Sequence, residues 1–408
     1  MAVSIVEALN IIDQNIISNI TTEFKDIEDS LGFIAAADIV SKVNLPKFDN
    51  SAMDGYAINS KDLGKIIKIQ DDTIFAGTKF VPKLLENHAL RIMTGAPVPD
   101  GADIVIPIEN VDFIDDCIKI PPDFKIGANI RLKGEELKSG SICIKKGEEI
   151  NSYTITLLAS QGIEKIEVFK KPLVAVLSSG DELKYYKEKN LSDFEIYDSN
   201  MVMLKTRVKS LNCEVKGISG SPDDINLLKM RIANSLNCNL IITTGGASVG
   251  DKDFTKETFK ELGMKYLFEK VDIKPGKPTS LGIINNTYIL ILPGNPTAAM
   301  INFELFGKFI INKLKNSAMP YHFILKTQIS DEFKLKSGKF SVILGYFNGN
   351  YFKPLHHQSP NFLSPLKDVN SFLITKPQID KIEKDKKINV VMLNEMSENF
   401  EVENIFIF

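Results

Sequence analysis

Three stretches of this chain place glycine and hydroxyl residues, two of them with carboxylates as well, directly after apolar runs. That is where an open α/β sheet binds its ligands. Ser178-Ser179-Gly180-Asp181-Glu182-Leu183 follows LVAV. Thr243-Thr244-Gly245-Gly246-Ala247-Ser248-Val249-Gly250-Asp251-Lys252-Asp253 follows LII, and Pro293-Gly294-Asn295-Pro296-Thr297 follows YILIL. In the second stretch Gly245, Gly246 and Gly250 permit tight turns with inward amides, and Ser248 adds a hydroxyl. Such a set can cradle a phosphate or a similar oxyanion. Asp251 and Asp253 would repel a bare phosphate, which points to a divalent cation between carboxylate and phosphate. The plainer alternative is a glycine-rich turn with solvated acids. Glu182 stands at the edge of the same crevice, either as a functional acid or as a capping acid at a helix start. Pro293 and Pro296 fix the backbone before a helix. Lys274-Pro275-Gly276-Lys277-Pro278 puts two lysines on a stiff turn, able to hold an anion as point charges or simply to stay solvated.

A second group of dense segments lies upstream: Phe48-Asp49-Asn50-Ser51-Ala52-Met53-Asp54-Gly55-Tyr56-Ala57, Arg91-Ile92-Met93-Thr94-Gly95-Ala96-Pro97-Val98-Pro99 and Asn129-Ile130-Arg131-Leu132-Lys133-Gly134-Glu135-Glu136. Composition alone leaves each open between a functional surface and an ordinary salt-bridged turn.

The elements around these segments define their context. Ser4 and Glu7 form a capping box, and Val6, Leu9, Ile12 and Ile16 are expected on one face of a first helix. Residues from about Leu45 to Gly140 are rich in Gly, Pro and short apolar runs, which predicts a β-rich insertion. TITLLASQG is again helical and stops at Gly162. The expected layout is a split helical or linker domain at 1–45 and 140–170, with the β-rich domain at 46–139 inserted into it. From Lys171, strands alternate with helices and predict a three-layer α/β/α domain at 171–318, its parallel sheet covered on both faces. After Pro320, short alternating segments predict a barrel-like β domain at 319–408. The fold class expected is therefore multidomain α/β plus β.

The chain has 408 residues, 44% of them hydrophobic and 25% charged, enough for several cores. Its formal net charge of −3 gives no global basic field, so no nucleic acid is expected as partner. The four cysteines, Cys117, Cys143, Cys213 and Cys238, form no C-x-x-C pair and read as reduced thiols. The N-terminus lacks the pattern of a signal peptide, and no apolar run is long enough to span a bilayer. A cytoplasmic protein without membrane contact is expected.

Taken together the segments resemble one family, the MoeA molybdopterin molybdenumtransferases, which include the C-terminal part of gephyrin. The matching strings are FDNSAMDGYA, RIMTGAPVPDGAD, GANIR with KGEE, SSGDEL, IYDSN, TTGGASVGDKDF, IKPGKP and LPGNP, in family order from about residue 45 to residue 300. The resemblance implies an elongated homodimer acting on adenylated molybdopterin and molybdate, with release of AMP and with magnesium as cation. It implies a cleft between the sheet domain of one subunit and the β insertion of the other. The adenylyltransferase and apo-molybdoenzymes are the protein partners it suggests. Asp54, Thr94, Glu182 and Asp253 match catalytic positions, and Glu182, Asp253 and Asp223 match acidic positions expected to hold the metal. Arg131, Ser179, Gly245, Gly246, Ser248, Lys274, Lys277, Pro293 and Pro296 match substrate-binding segments. Lys133 and Glu136 depart from a family pattern of further arginine and aspartate, so the bidentate fork is lost and the acid arm lengthened.

The residues fit a reaction between two anions. Lys274, Lys277, Arg131, loop amides and a cation would offset their repulsion. Asp253, Glu182 and Asp54 would hold the cation or orient water for cleavage of the phosphoanhydride. The thiolates that take the metal belong to the pterin, so neither a cysteine nor His356 or His357 is needed. Two other readings are a molybdopterin adenylyltransferase and a non-catalytic scaffold. The inserted β module argues against the first, and the acidic loops against the second.

Overall fold

In LVAVLSS every residue is apolar or small, so both faces of the strand demand cover. The computed structural model, which describes residues 2–221, 225–245, 254–336, 338–356, 358–359 and 361–393, supplies it. Val174 and Val176 of Leu173–Ser179 face one core, and Ala175 and Leu177 face another. Leu240–Thr244 and Thr287–Leu292 repeat the alternation. The sheet runs Glu214–Ser221, Leu173–Ser179, Leu240–Thr244, Thr287–Leu292, Ser280–Ile284, Lys265–Phe268. Its first four strands are parallel and its last two antiparallel. The expected parallel sheet is present in four strands and carries an antiparallel edge that the sequence reading did not include. The short connection Ile284–Thr287 allows only a hairpin there.

Helices Ile225–Ala233 and Phe254–Glu261 cover one face, through Leu228, Ile232 and Phe259. Helix Ser199–Ser210 and the apolar run from Pro296 to Leu314 cover the other. Helix Ile5–Asn15 forms with the Ser4/Glu7 capping box. Its inward face, however, is Ile5, Ala8 and Ile12, while Val6 is 63% exposed. Of the expected face, Ile12 and Ile16 are buried and Leu9 packs against the same core, while Ile5 takes the place of Val6, a burial worth about 2 kcal/mol. That face packs onto the α/β core, so the first helix is part of the sheet unit.

The inserted module enters and leaves as an antiparallel stalk, Ile39–Val40 against Ile142–Ile144 and Asn50–Ser51 against Ile130–Arg131. Gln161 accepts from Ser41 Oγ and from the Val43 amide, tying the stalk to the end of helix Ser152–Ser160. Beyond the stalk lies a six-stranded sheet with apolar clusters on both faces. A smaller sheet of Thr22–Asp26, Lys165–Phe169 and Ile34–Ala35 stands at the base. The strands Ile324–Ile329, Tyr351–Pro354, Ser341–Phe347, Ser371–Thr375 and Lys387–Met392 close a five-stranded barrel. Val342, Leu344 and Phe372 of the barrel share the core of the α/β unit. Among the described residues no helix is long and apolar enough to cross a membrane.

Candidate functional site

The parallel sheet reverses its winding between Leu173–Ser179 and Leu240–Thr244, since the chain adds Glu214–Ser221 on one side and later strands on the other. A crevice opens at the carboxyl ends of the strands flanking such a reversal. Three of the predicted loops meet there. Gly245 has φ +89°, and a side-chain carbon at that position would collide with the Ser179 carbonyl oxygen. A carbon added to Gly294 would lie 3.5 Å from the Gly245 Cα. Glycine is therefore required at Gly245 both by backbone conformation and by close approach. The Glu182 carboxylate folds back over the end of its own loop, with Oε2 2.8 Å from where a Gly180 Cβ would stand.

Buried polar residues fasten these loops. Asn200 Nδ2 donates to Thr244 Oγ1 at 3.0 Å and to the Gly294 carbonyl at 2.7 Å. The Thr244 hydroxyl donates to the Pro293 carbonyl at 3.0 Å. Asp198 accepts the Ser178 hydroxyl and caps helix Ser199–Ser210 through the Met201 amide at 3.0 Å. Asn200 and Asp198 belong to IYDSN, a string that carried resemblance but no assigned role in the sequence. Their type was the available signal, an Asp-x-Asn at a helix start beside a ligand crevice.

The lysine turn rises at the same end. Ser280 pairs with Ile291, so Lys274 and Lys277 precede the sheet at the carboxyl end of Thr287–Leu292. Both lysines are exposed, while their backbone is held. The Lys274 amide donates to Phe340 O at 2.8 Å, and its carbonyl accepts from Val342 at 2.9 Å, which joins the turn to the barrel. Pro296 is the first residue of helix Pro296–Asn302, and Thr297 donates to Phe362 O of the barrel unit at 3.0 Å.

The inserted module has a cluster of its own. Thr94 donates its amide and its hydroxyl to Asp54 Oδ1, both at 2.7 Å. These bonds, the backbone one first, hold the Asp54 carboxyl below the usual carboxylate range, with Arg91 adding a smaller pull. Arg91 also lies over the Tyr56 ring at 5.1 Å, a position the sequence did not single out. Arg131 pairs with Asn50, the Gly95 amide donates to Ser51 O, and the Lys133 amide donates to Asp49 Oδ1 at 2.6 Å. The three upstream segments are thus neighbours on one exposed surface, and Asp54, Thr94 and Arg131 are all open to solvent.

The predicted site residues therefore fall in two groups. Ser179, Glu182, Gly245, Lys274, Lys277, Pro293 and Pro296 gather at the sheet end, and Asp54, Thr94 and Arg131 on the inserted module. Asp223, Gly246, Ser248 and Asp253 lie outside the described residues, as does His357. Among the described residues no group of three or more His, Cys, Asp or Glu side chains is placed to hold a metal ion. Burial pushes the Cys213 thiol up to about 12, which makes it a poor ligand or nucleophile.

Family comparison fits this division. Residues 3–162 match the MoeA N-terminal region (domain I and II), and residues 175–313 match a probable molybdopterin binding domain. A molybdopterin molybdenumtransferase of Haemophilus influenzae is 33% identical over 386 residues, covering 92% of this chain and 95% of its own. The chain belongs to the MoeA family. A second MoeA relative, the molybdopterin molybdenumtransferase of Staphylococcus epidermidis, is 36% identical over 78% of this chain and 77% of its own. A MoeA protein of Pyrococcus horikoshii superposes with a TM-score of 0.81 at 27% identity, over 97% of this chain and all of that one. Another structure of MoeA from that organism gives 0.85 at 24% identity, over 96% and 100%. The multidomain α/β plus β architecture is the MoeA fold.

Proposed function

We propose that this chain transfers molybdenum from molybdate to adenylated molybdopterin and releases AMP. The observation that carries the reading is the meeting of the Ser179, Gly245 and Gly294 loops at the winding reversal, beside two exposed lysines on a fastened turn. Backbone amides and hydroxyls suit a pyrophosphate-linked pterin, and Lys274 and Lys277 suit an oxyanion. Holding both anions together converts an encounter of like charges into a local reaction. Ser179 and Gly245 line the substrate crevice in this reading, with Gly246 and Ser248 of the same loop, and Pro293 and Pro296 shape its rim. Glu182 and Asp253 orient water toward the phosphoanhydride.

The Asp54, Thr94 and Arg131 cluster completes the reading in a homodimer. It is exposed and preorganised, yet it belongs to a different sheet from the crevice. We place it against the crevice of the other subunit, where Asp54 and Thr94 position substrate and Arg131 adds positive charge. Magnesium is the proposed cation, with Glu182, Asp253 and Asp223 as its ligands, and would supply charge neutralisation at the phosphates when bound. The described residues do not by themselves form such a site, and no step here is routed through it. The adenylyltransferase and apo-molybdoenzymes are the proposed partners, and the cytoplasm the proposed location.

Incubation with adenylated molybdopterin, molybdate and magnesium tests the reading through AMP release and activation of an apo-molybdoenzyme. Both are expected. Formation of adenylyl-pterin from ATP and metal-free pterin, with no molybdenum insertion, would replace it with the adenylyltransferase.

A further inference from the structure

We propose that Asn302 is a positioning residue for the lysine turn, coupling Lys274 and Lys277 to the helix that follows the proline loop. The inference rests on the reading of those lysines as the oxyanion holders. Asn302 interrupts the run TAAMINFELF and is fully buried at the end of helix Pro296–Asn302. Its Nδ2 donates to Ala298 O, in its own helix, at 2.8 Å and to Pro275 O, in the turn, at 3.3 Å. Its Oδ1 is buried without a hydrogen-bond partner. A polar side chain is kept in an apolar core at such a cost when it fixes something.

What it fixes is Gly276. That residue has φ +118°, and a side-chain carbon there would overlap Asn302 Nδ2 and stand 2.9 Å from Oδ1. The turn backbone therefore rests directly on the amide. Thr279 secures the next peptide, donating its amide at 3.1 Å and its hydroxyl at 2.8 Å to Gly276 O. With Pro275 O and Gly276 O both held from below, the turn presents its two ammonium groups outward from a fixed base. Because Asn302 and Pro296 share one helix, lysine turn and proline loop keep a constant spacing. Asn302 touches neither substrate in this account and acts only through the turn.

The test is a double-mutant cycle on the full-length protein. In Asn302→Leu, which keeps the forked shape and removes the donor, KM for molybdate is expected to rise about tenfold while kcat changes less than about twofold. Gly276→Ala reaches the same contact from the exposed side and should give the same split if the core variant folds poorly. Both effects should vanish in the Lys274→Met/Lys277→Met background, which a general packing defect would not do. An undiminished effect in that background, or a loss confined to kcat, overturns the proposal. An unchanged molybdate KM in the lysine double variant itself overturns the anion-holding reading, and the positioning role with it.

Discussion

Thr94 donates both its backbone N–H and its hydroxyl to a single oxygen of Asp54, each at 2.7 Å. The aspartate immediately precedes the strand beginning at Gly55 and the threonine follows the strand ending at Ile92, and Gly55 and Ile92 pair directly. Two adjacent strands thus deliver an ionised carboxylate in one orientation at the surface.

Thr94→Val keeps the backbone bond and removes the hydroxyl. Activity should fall on the order of tenfold, because one oriented donor to a charged acceptor is lost. Melting temperature should hardly move, since both residues are exposed. The depressed Asp54 pKa gives the sign of the pH effect. The contact is fully present above the ordinary carboxylate pKa and is lost as pH falls through the depressed value, so the variant's deficit should persist across neutral pH. Steady-state rates between pH 5 and 8, a span chosen to lie above an ordinary Asp pKa of about 3.9, check this.

Asn200 ties the second loop to the third. Asn200→Ala leaves the Gly294 carbonyl without its buried donor and should cost about 1–3 kcal/mol in urea unfolding. Activity should fall together with stability. Gly245→Ala should behave alike for another reason. Its φ of +89° and its contact with the Ser179 carbonyl both exclude a side chain, at a cost of about 1–3 kcal/mol or more.

His322 offers a pH test remote from the crevice. Burial holds its imidazole below the ordinary value, and its Nε2 lies 3.0 Å from Glu304 O. Arg207 pairs with the Glu304 carboxylate at 2.6 Å, and Lys308 adds a further positive charge nearby. The folded pKa is lowered, so the unfolded chain takes up the proton first. Stability is full above the unfolded value of about 6.5 and declines as pH falls below it toward the folded one. Melting temperatures from pH 7.5 to 5.5, spanning that value of about 6.5, should show the decline, and His322→Gln should flatten it.

Much of this was legible in the sequence, and the reasons are physical. Strand runs such as LVAVLSS and LIITT are apolar on both faces and can only be central strands. The chemistry-bearing loops follow those strands directly, so local order placed them at one sheet end. The Asp54–Thr94 contact is different: 40 residues separate the pair, and only the resemblance linked them. Asn302 gave no signal, because a lone asparagine in an apolar helix acquires meaning only from Gly276 beneath another segment. In the first helix only Val6 was misplaced, because Val6 and Ile5 are equally apolar and only the partner surface distinguishes them. The antiparallel edge was missed as well. Only YILIL was read as a strand there, and the short runs Ser280–Ile284 and Lys265–Phe268 went unassigned although Asn285 and Asn286 mark the hairpin turn.

A dependence on divalent cation would show in AMP release. Chelation should abolish the reaction and magnesium restore it. Asp253→Asn should abolish molybdenum insertion with the fold intact, as judged by circular dichroism. Full activity of that variant would remove Asp253 from the proposed ligand set.

The most direct measurement is subunit complementation. Asp54→Asn disables the inserted module and Glu182→Gln the crevice, and each homodimer should be inactive. Mixed and reannealed in equal amounts, half of the dimers carry one intact site, so about a quarter of wild-type activity should return. If the mixture remains as inactive as its parents although mixed dimers are shown to form, the two clusters do not meet across subunits and the account is contradicted.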